Sequence, residues 1–160
     1  MIKVERMGYA RGFHMYCGNR SEIEQIITHM DSLLQEIKNK QYSSLIEKLG
    51  LERLSHVIIE SIVDVGNLMI DGFIMRDPGS YHDIIDILID EKVIPEQDES
   101  SYKAIIDLRQ MLVQEYLKID HNRLKDVLFT NKDVLMQFSH HIRTYLDNEL
   151  GVANAFSNEP

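Results

Sequence analysis

The stretch "SLIEKLGLERLSHVIIESIVDVGNLMIDGFIM", Ser44 to Met75, decides the fold. Its apolar residues recur at helical spacing from about Leu45 to Met75. Between Val57 and Met75 they occupy most of the helix circumference. A helix that is apolar nearly all round is a central or interface helix, not a surface one. One narrow polar stripe remains: Glu60, Asp64, Asn67 and Asp71. These positions step by four, three and four, so they line one face. Gly66 and Gly72 each cost about 1 kcal/mol in a helix interior, which points to a close backbone approach or a bend.

Working outward, "SEIEQIITHMDSLLQEIK" predicts a helix over about Glu22–Lys38. Ser21 and Glu24 form a capping-box signature before it. After the central helix, Pro78 and Gly79 make a turn and Ser80 can cap a short helix, about Tyr81–Glu91. "PEQDES" is a loop, and "SYKAIIDLRQMLVQEYLK" predicts a helix over Ser101–Lys118. Asp120 can cap a last helix, about Asn122–Leu150. No strand pattern and no internal repeat is present. Four long helices and one short one, joined by brief links, predict an all-α, up-and-down antiparallel helical bundle over residues 21–150. Residues 1–20 lack a period and are read as a flexible N-terminal segment, within which Met15 is an alternative start. Residues 151–160 are read as a disordered tail.

The chain has 160 residues, 44% of them hydrophobic and 27% charged, which suits one globular domain. The sequence shows neither a membrane-spanning run nor a signal peptide, and its single cysteine, Cys17, fits a reducing compartment. The expected location is cytoplasmic. A net charge of −9 repels phosphate on average and argues against non-specific coating of nucleic acid. A local arginine site remains open to it. The paired Glu-x-x-His motifs of di-iron bundles, His-Glu-x-x-His, phosphate-cradling glycine loops and Gly-x-Ser-x-Gly are all missing. His140 and His141 are adjacent and point about 100° apart on a helix, so they do not readily share a metal. His29 and His56 read as ordinary helix positions. No metal or cofactor is expected.

One element carries an unusual polar set. "IIDLRQMLVQEYLKID", Ile105 to Asp120, has Arg109, Gln114 and Tyr116 among Leu108, Met111, Leu112, Val113 and Leu117. A snorkelling arginine and a packed tyrosine would account for it; so would a polar cleft. A family resemblance favours the cleft. "LERLSHVIIESIVDVGNLMIDGF", "RDPGSYHDIIDILIDEKVIP" and "LRQMLVQEYLKID" follow one another with the spacings of the HepT-like branch of the HEPN superfamily. The chain resembles that branch from about Leu51 to Leu146.

The resemblance implies a dimeric helical bundle and a metal-independent endoribonuclease toxin. It also implies a small nucleotidyltransferase antitoxin that adenylylates a tyrosine. The family motif is Arg, four residues, His, one residue, Tyr. Carried onto this chain, the arginine is Arg109 and the modifiable tyrosine is Tyr116, while the histidine position holds Gln114 and the usual asparagine is Gln110. Glutamine does not titrate near neutral pH, so it cannot move the proton that RNA cleavage requires. Weakened cleavage is therefore expected, or else a non-catalytic dimer that binds RNA, a nucleotide or a protein partner. Arg76 and His82 in "RDPGSYH" match a similar spacing only by coincidence.

Three structural expectations follow. Asp64, Asn67, Asp71 and Gln110 line the cleft, with Asp64 or Asp71 pairing with Arg109. The Val57–Met75 helix and the Arg109 helix form the dimer interface. Positions 109 and 114 lie about 140° apart on a straight helix, so a kink or a second copy must bring them together.

Overall fold

A computed structural model describes residues 20–157. The expectations placed on residues 1–19, including Met15 and Cys17, lie outside them. The described chain is an all-helical bundle: α1 Arg20–Gln35, α2 Leu45–Gly72, α3 Tyr81–Asp90, a 3-10 turn Glu96–Asp98, α4 Glu99–Val113, α5 His121–Thr130, α6 Lys132–Met136 and α7 Phe138–Ser157.

The long apolar stretch forms α2, and α1, α3, α4 and α5 all pack against it. Its buried residues include Leu51, Ile58, Ile59, Ile62, Val63, Val65, Met69 and Ile70, which face several directions round the helix. Burying one such side chain contributes about 1.5–3 kcal/mol, so covering α2 is a principal source of the bundle's stability. Ser55 and Ser61 are buried with it, and each donates its hydroxyl to the carbonyl four residues back, Leu51 and Val57, at 2.6 Å. A capping box starts the helix: Glu47 N–H donates to Ser44 Oγ at 3.1 Å, and the Glu47 carboxylate accepts from Ser44 N–H. The Ser21–Glu24 box expected for α1 does not form. That helix extends back to Arg20, and Glu24 instead accepts from Arg143 of α7 at 2.6 and 2.9 Å.

Gly66 marks a close approach, as its cost in a helix implied. A Cβ placed there would lie 2.4 Å from Ile84 Cγ2, so the missing side chain sets how near α3 comes to α2. The turn between these helices closes in a Schellman arrangement, Met75 N–H donating to Ile70 O at 3.0 Å. The left-handed position is Ile74, at φ 55°, where glycine is the usual occupant. Beyond it Arg76 grips Asp83 with two bonds of 2.7 Å, which with the Gly79 N–H holds the Asp83 carboxyl at about 2. Ser80 caps α3 and Asp120 caps α5, as their side chains predicted.

The last two long helices differ from expectation. The predicted Asn122–Leu150 helix is three, broken at Asn131 and Gln137. Asn131 turns its amide onto the Val127 carbonyl at 2.8 Å, competing with helix continuation. Leu124, Leu128, Leu135, Phe138, Ile142 and Leu146 are all buried across the breaks, which is why the sequence period looks continuous. α7 runs on to Ser157, into the segment read as a tail. The Ser101–Lys118 helix stops at Val113, because beyond it the chain covers nothing: Tyr116 is 64% and Leu117 87% exposed.

Because α3 comes this close at Gly66, Gly66→Ala should lower the thermal midpoint. Overpacking costs about 1–3 kcal/mol, against about 1 kcal/mol gained in helix propensity. Gly50→Ala is the control, because a Cβ at Gly50 meets nothing within 4 Å and should raise the midpoint. Equal stabilisation by both substitutions would show that α2 and α3 are not in close contact at Gly66.

Candidate functional site

Arg109 emerges from α4 between α2 and α3. Its Nε donates to Glu60 Oε1 of α2 at 2.7 Å. Its guanidinium carbon lies 4.6 Å from the centre of the Tyr81 ring, the first residue of α3. The cation is thus held edge-on by a carboxylate and face-on by an aromatic ring, each of which is a recognised guanidinium contact. The Glu60 hydrogen bond, followed by attraction to Glu60 and Tyr81, raises the Arg109 pKa above its already high ordinary value. Both side chains remain partly open, at 26% for Arg109 and 35% for Glu60. Among the described residues the terminal amino groups, Nη1 and Nη2, make no hydrogen bond. That edge is the one able to take a phosphate or carboxylate with two parallel bonds.

The other expected residues are placed as follows. Asp64, Asn67 and Asp71 are exposed on α2 and make no side-chain hydrogen bond among the described residues. Arg109 is paired with Glu60, the first member of the stripe, and not with Asp64 or Asp71. The physical reason is position: Glu60 is half-buried beneath α4, while the later members run out along the open face. Asp64 is exposed as a residue, yet its carboxyl is crowded enough to be raised, first by partial desolvation and then by Glu60 and Glu22. Gln110 points to solvent, and its carbonyl accepts the N–H groups of Gln114 and Glu115 at 2.8 and 3.3 Å. Gln114 is the C-cap of α4, and Tyr116 lies beyond it in the exposed link to α5. The straight-helix projection still holds for Gln114, whose backbone stays in the right-handed helical region and whose N–H bonds to the Gln110 carbonyl, but not for Tyr116. Helix termination after Val113 separates Tyr116 from the regular positions that hold Arg109.

Arg76 and His82 diverge, since Arg76 is committed to Asp83 and His82 Nε2 lies 2.6 Å from Asp107 Oδ1. Two residues at the site were not singled out from sequence. Tyr81 carried no signal beyond starting a capped helix. His56 was read as an ordinary position, yet its Nε2 is 3.7 Å from the same Glu60 oxygen that holds Arg109. The four-residue spacing of Glu52, His56 and Glu60 was the available clue.

The HepT-like family model, described as "Ribonuclease HepT-like", matches residues 23–142, most of the chain. The chain belongs to the HepT-like family. It is 44% identical over 143 residues to "Putative RNase YutE" of Bacillus subtilis (strain 168), covering 89% of this chain and 99% of that one. It also resembles a solved structure, "Structure of Cytosolic Protein of Unknown Function YutE from Bacillus subtilis". The TM-score is 0.79 at 44% identity, over 82% of this chain and 93% of the other. The helical bundle and the ribonuclease-type family membership implied by the sequence resemblance are thereby shown. The arginine expected at the site, Arg109, is the residue held by Glu60 and Tyr81.

The clamp can be measured. In a double-mutant cycle of Glu60→Ala and Arg109→Ala, the expected coupling is about 0.5–1 kcal/mol at low salt, reduced for partial exposure. In about 1 M salt, where the screening length falls to about 3 Å, it should shrink. Additive effects at low salt would mean that the two side chains do not interact in solution.

Proposed function

We propose that this chain is a metal-independent endoribonuclease of the HepT type, acting at the Arg109 face and slowed because Gln114 stands at the motif's histidine position. The observation that carries this reading is the partly exposed Arg109, held by Glu60 and Tyr81 with no hydrogen bond to its Nη groups among the described residues. A preorganised guanidinium of this kind is suited to stabilise charge developing on a phosphate during cleavage. Gln114 can donate or accept a hydrogen bond, but it cannot act as an acid or base.

The reading extends to a toxin–antitoxin pair. Its partner is a small nucleotidyltransferase that adenylylates Tyr116. The 64% exposure of that tyrosine supports access by a modifying enzyme. A homodimer is part of the same proposal, resting on the family likeness. The all-round apolar surface of α2 between Val57 and Met75 is largely covered within the single chain. The surface a second copy would cover is instead the exposed apolar set Leu45, Ile46, Leu49, Val113 and Leu117. No described helix is long and apolar enough to cross a membrane. A cytoplasmic location is proposed from this and from the description of the similar Bacillus subtilis structure as cytosolic.

Gln114 itself favours a second reading, in which the protein is a non-catalytic homodimer that binds RNA, a nucleotide or a protein partner through the same arginine.

Cleavage of a single-stranded RNA in excess chelator separates the two. The first reading predicts slow cleavage by the native chain and a rise in Gln114→His. Arg109→Ala in that background should lose on the order of 10²–10³ in rate. The binding reading predicts no cleavage by either form, with RNA affinity lost in Arg109→Ala. Fast cleavage that survives Arg109→Ala would contradict both. Light scattering on the same samples should give twice the chain mass, and the mass of one chain would refute the dimer.

A further inference from the structure

Glu52, His56 and Glu60 follow one another along one face of α2 at four-residue spacing. Neighbouring helices engage the outer two. His121 Nε2, at the start of α5, lies 3.0 Å from Glu52 Oε2, and Arg109 of α4 binds Glu60. His56 stands between them with its side chain 33% exposed. At 3.7 Å its Nε2 is in ion-pair range of Glu60 Oε1 but beyond a hydrogen bond, so the ring is oriented without being committed. Among the described residues, the other histidines that pair with a carboxylate do so on oxygens that Arg109 does not bind: His82 with Asp107, His121 with Glu52 and His141 with Asp98. His56 differs in sharing its carboxylate oxygen with the arginine.

We propose that His56 is the acid–base residue of the Arg109 site, supplying the proton transfer that position 114 does not. The inference rests on the ribonuclease reading above. Because one oxygen of Glu60 contacts both groups, the imidazole and guanidinium are separated by no more than those two contacts laid end to end. That separation suits a phosphodiester held by Arg109 with its adjoining ribose hydroxyl at His56. The neutral Nε2 accepts the proton of the 2′-hydroxyl. The 2′-oxygen then bonds to phosphorus, and the bond from phosphorus to the 5′-oxygen breaks. A 2′,3′-cyclic phosphate remains on one fragment, and the departing 5′-oxygen takes a proton from water. The hydroxide so formed recovers the proton from the imidazolium, so no oxidant, reductant or metal enters the balance. Glu60 is a positioning residue in this scheme. It holds Arg109 and faces the imidazolium as charge develops on the ring.

The test uses the full chain in excess chelator, with a short RNA and its all-2′-deoxy analogue. His56→Gln should lower the cleavage rate by about 10²–10⁴-fold, the usual contribution of an acid–base group. Binding of the deoxy analogue should be unchanged. His56→Ala should lose cleavage similarly and recover part of it when imidazole is added to the buffer, which reads the ring itself and not the fold. A His56→Gln enzyme as fast as the native chain would overturn the assignment of His56 and leave the ribonuclease reading standing. Loss in His56→Ala with no recovery in imidazole would give His56 a structural role and overturn the assignment too. A native chain that binds the deoxy analogue through Arg109 but cleaves nothing would overturn the ribonuclease reading, and the role of His56 with it.

Discussion

A helix whose apolar residues face nearly every direction cannot stand free in water, and α2 is such a helix. Four other helices pack on it, and the route of the chain follows from that need for cover. The turn at Pro78 and Gly79 returns α3 along it, and Gly66 lets the two come close. Between Val57 and Gly72 it is chiefly the polar side of α2 that is left unsealed. A half-buried carboxylate at that margin has a cost unless a cation meets it, and Arg109 reaches across from α4 to do so. The candidate site is thus a consequence of how α2 is covered.

The Glu60–Arg109 contact is modest as a source of stability. Partly exposed ion pairs contribute at most about 1 kcal/mol, less than burying one isoleucine of α2. Its weight lies in orientation. With Nε engaged and Tyr81 beside the guanidinium, the arginine's remaining freedom is small, and its Nη groups make no hydrogen bond among the described residues. A flexible arginine would lose part of its binding energy in becoming ordered. The chain's −9 charge makes such local preorganisation matter more, because the average field does not draw phosphate in.

The bundle was legible because its signals are periodic. Ser80 and Asp120 announced helix starts, and the apolar residues of α1, α2 and α4 fell where helical spacing put them. What failed to show were the interruptions. Leu124 to Leu146 keep an apolar period across two breaks that depend on single side-chain bonds and backbone turns, as at Asn131. The end of α4 was hidden for the opposite reason, since Val113 and Leu117 look like core residues until the fold leaves them uncovered. At the site, Arg109 was legible from the motif, whereas Glu60 as its partner and Tyr81 beneath it are products of three helices meeting. Helical spacing places Glu60, Asp64, Asn67 and Asp71 on one face but does not say where along that face α4 crosses.

The central claim is that Arg109, clamped by Glu60 and Tyr81, is where phosphate binds. NMR of the isotopically labelled full chain, titrated with a short 2′-deoxy oligonucleotide that cannot be cleaved, tests it most directly. The account predicts that the Arg109 side-chain Nε–H signal shifts first, together with resonances of Glu60, Tyr81 and His56, and that Arg109→Ala abolishes these changes. Saturable shifts confined to another surface, with Arg109 and Glu60 unmoved, would contradict it.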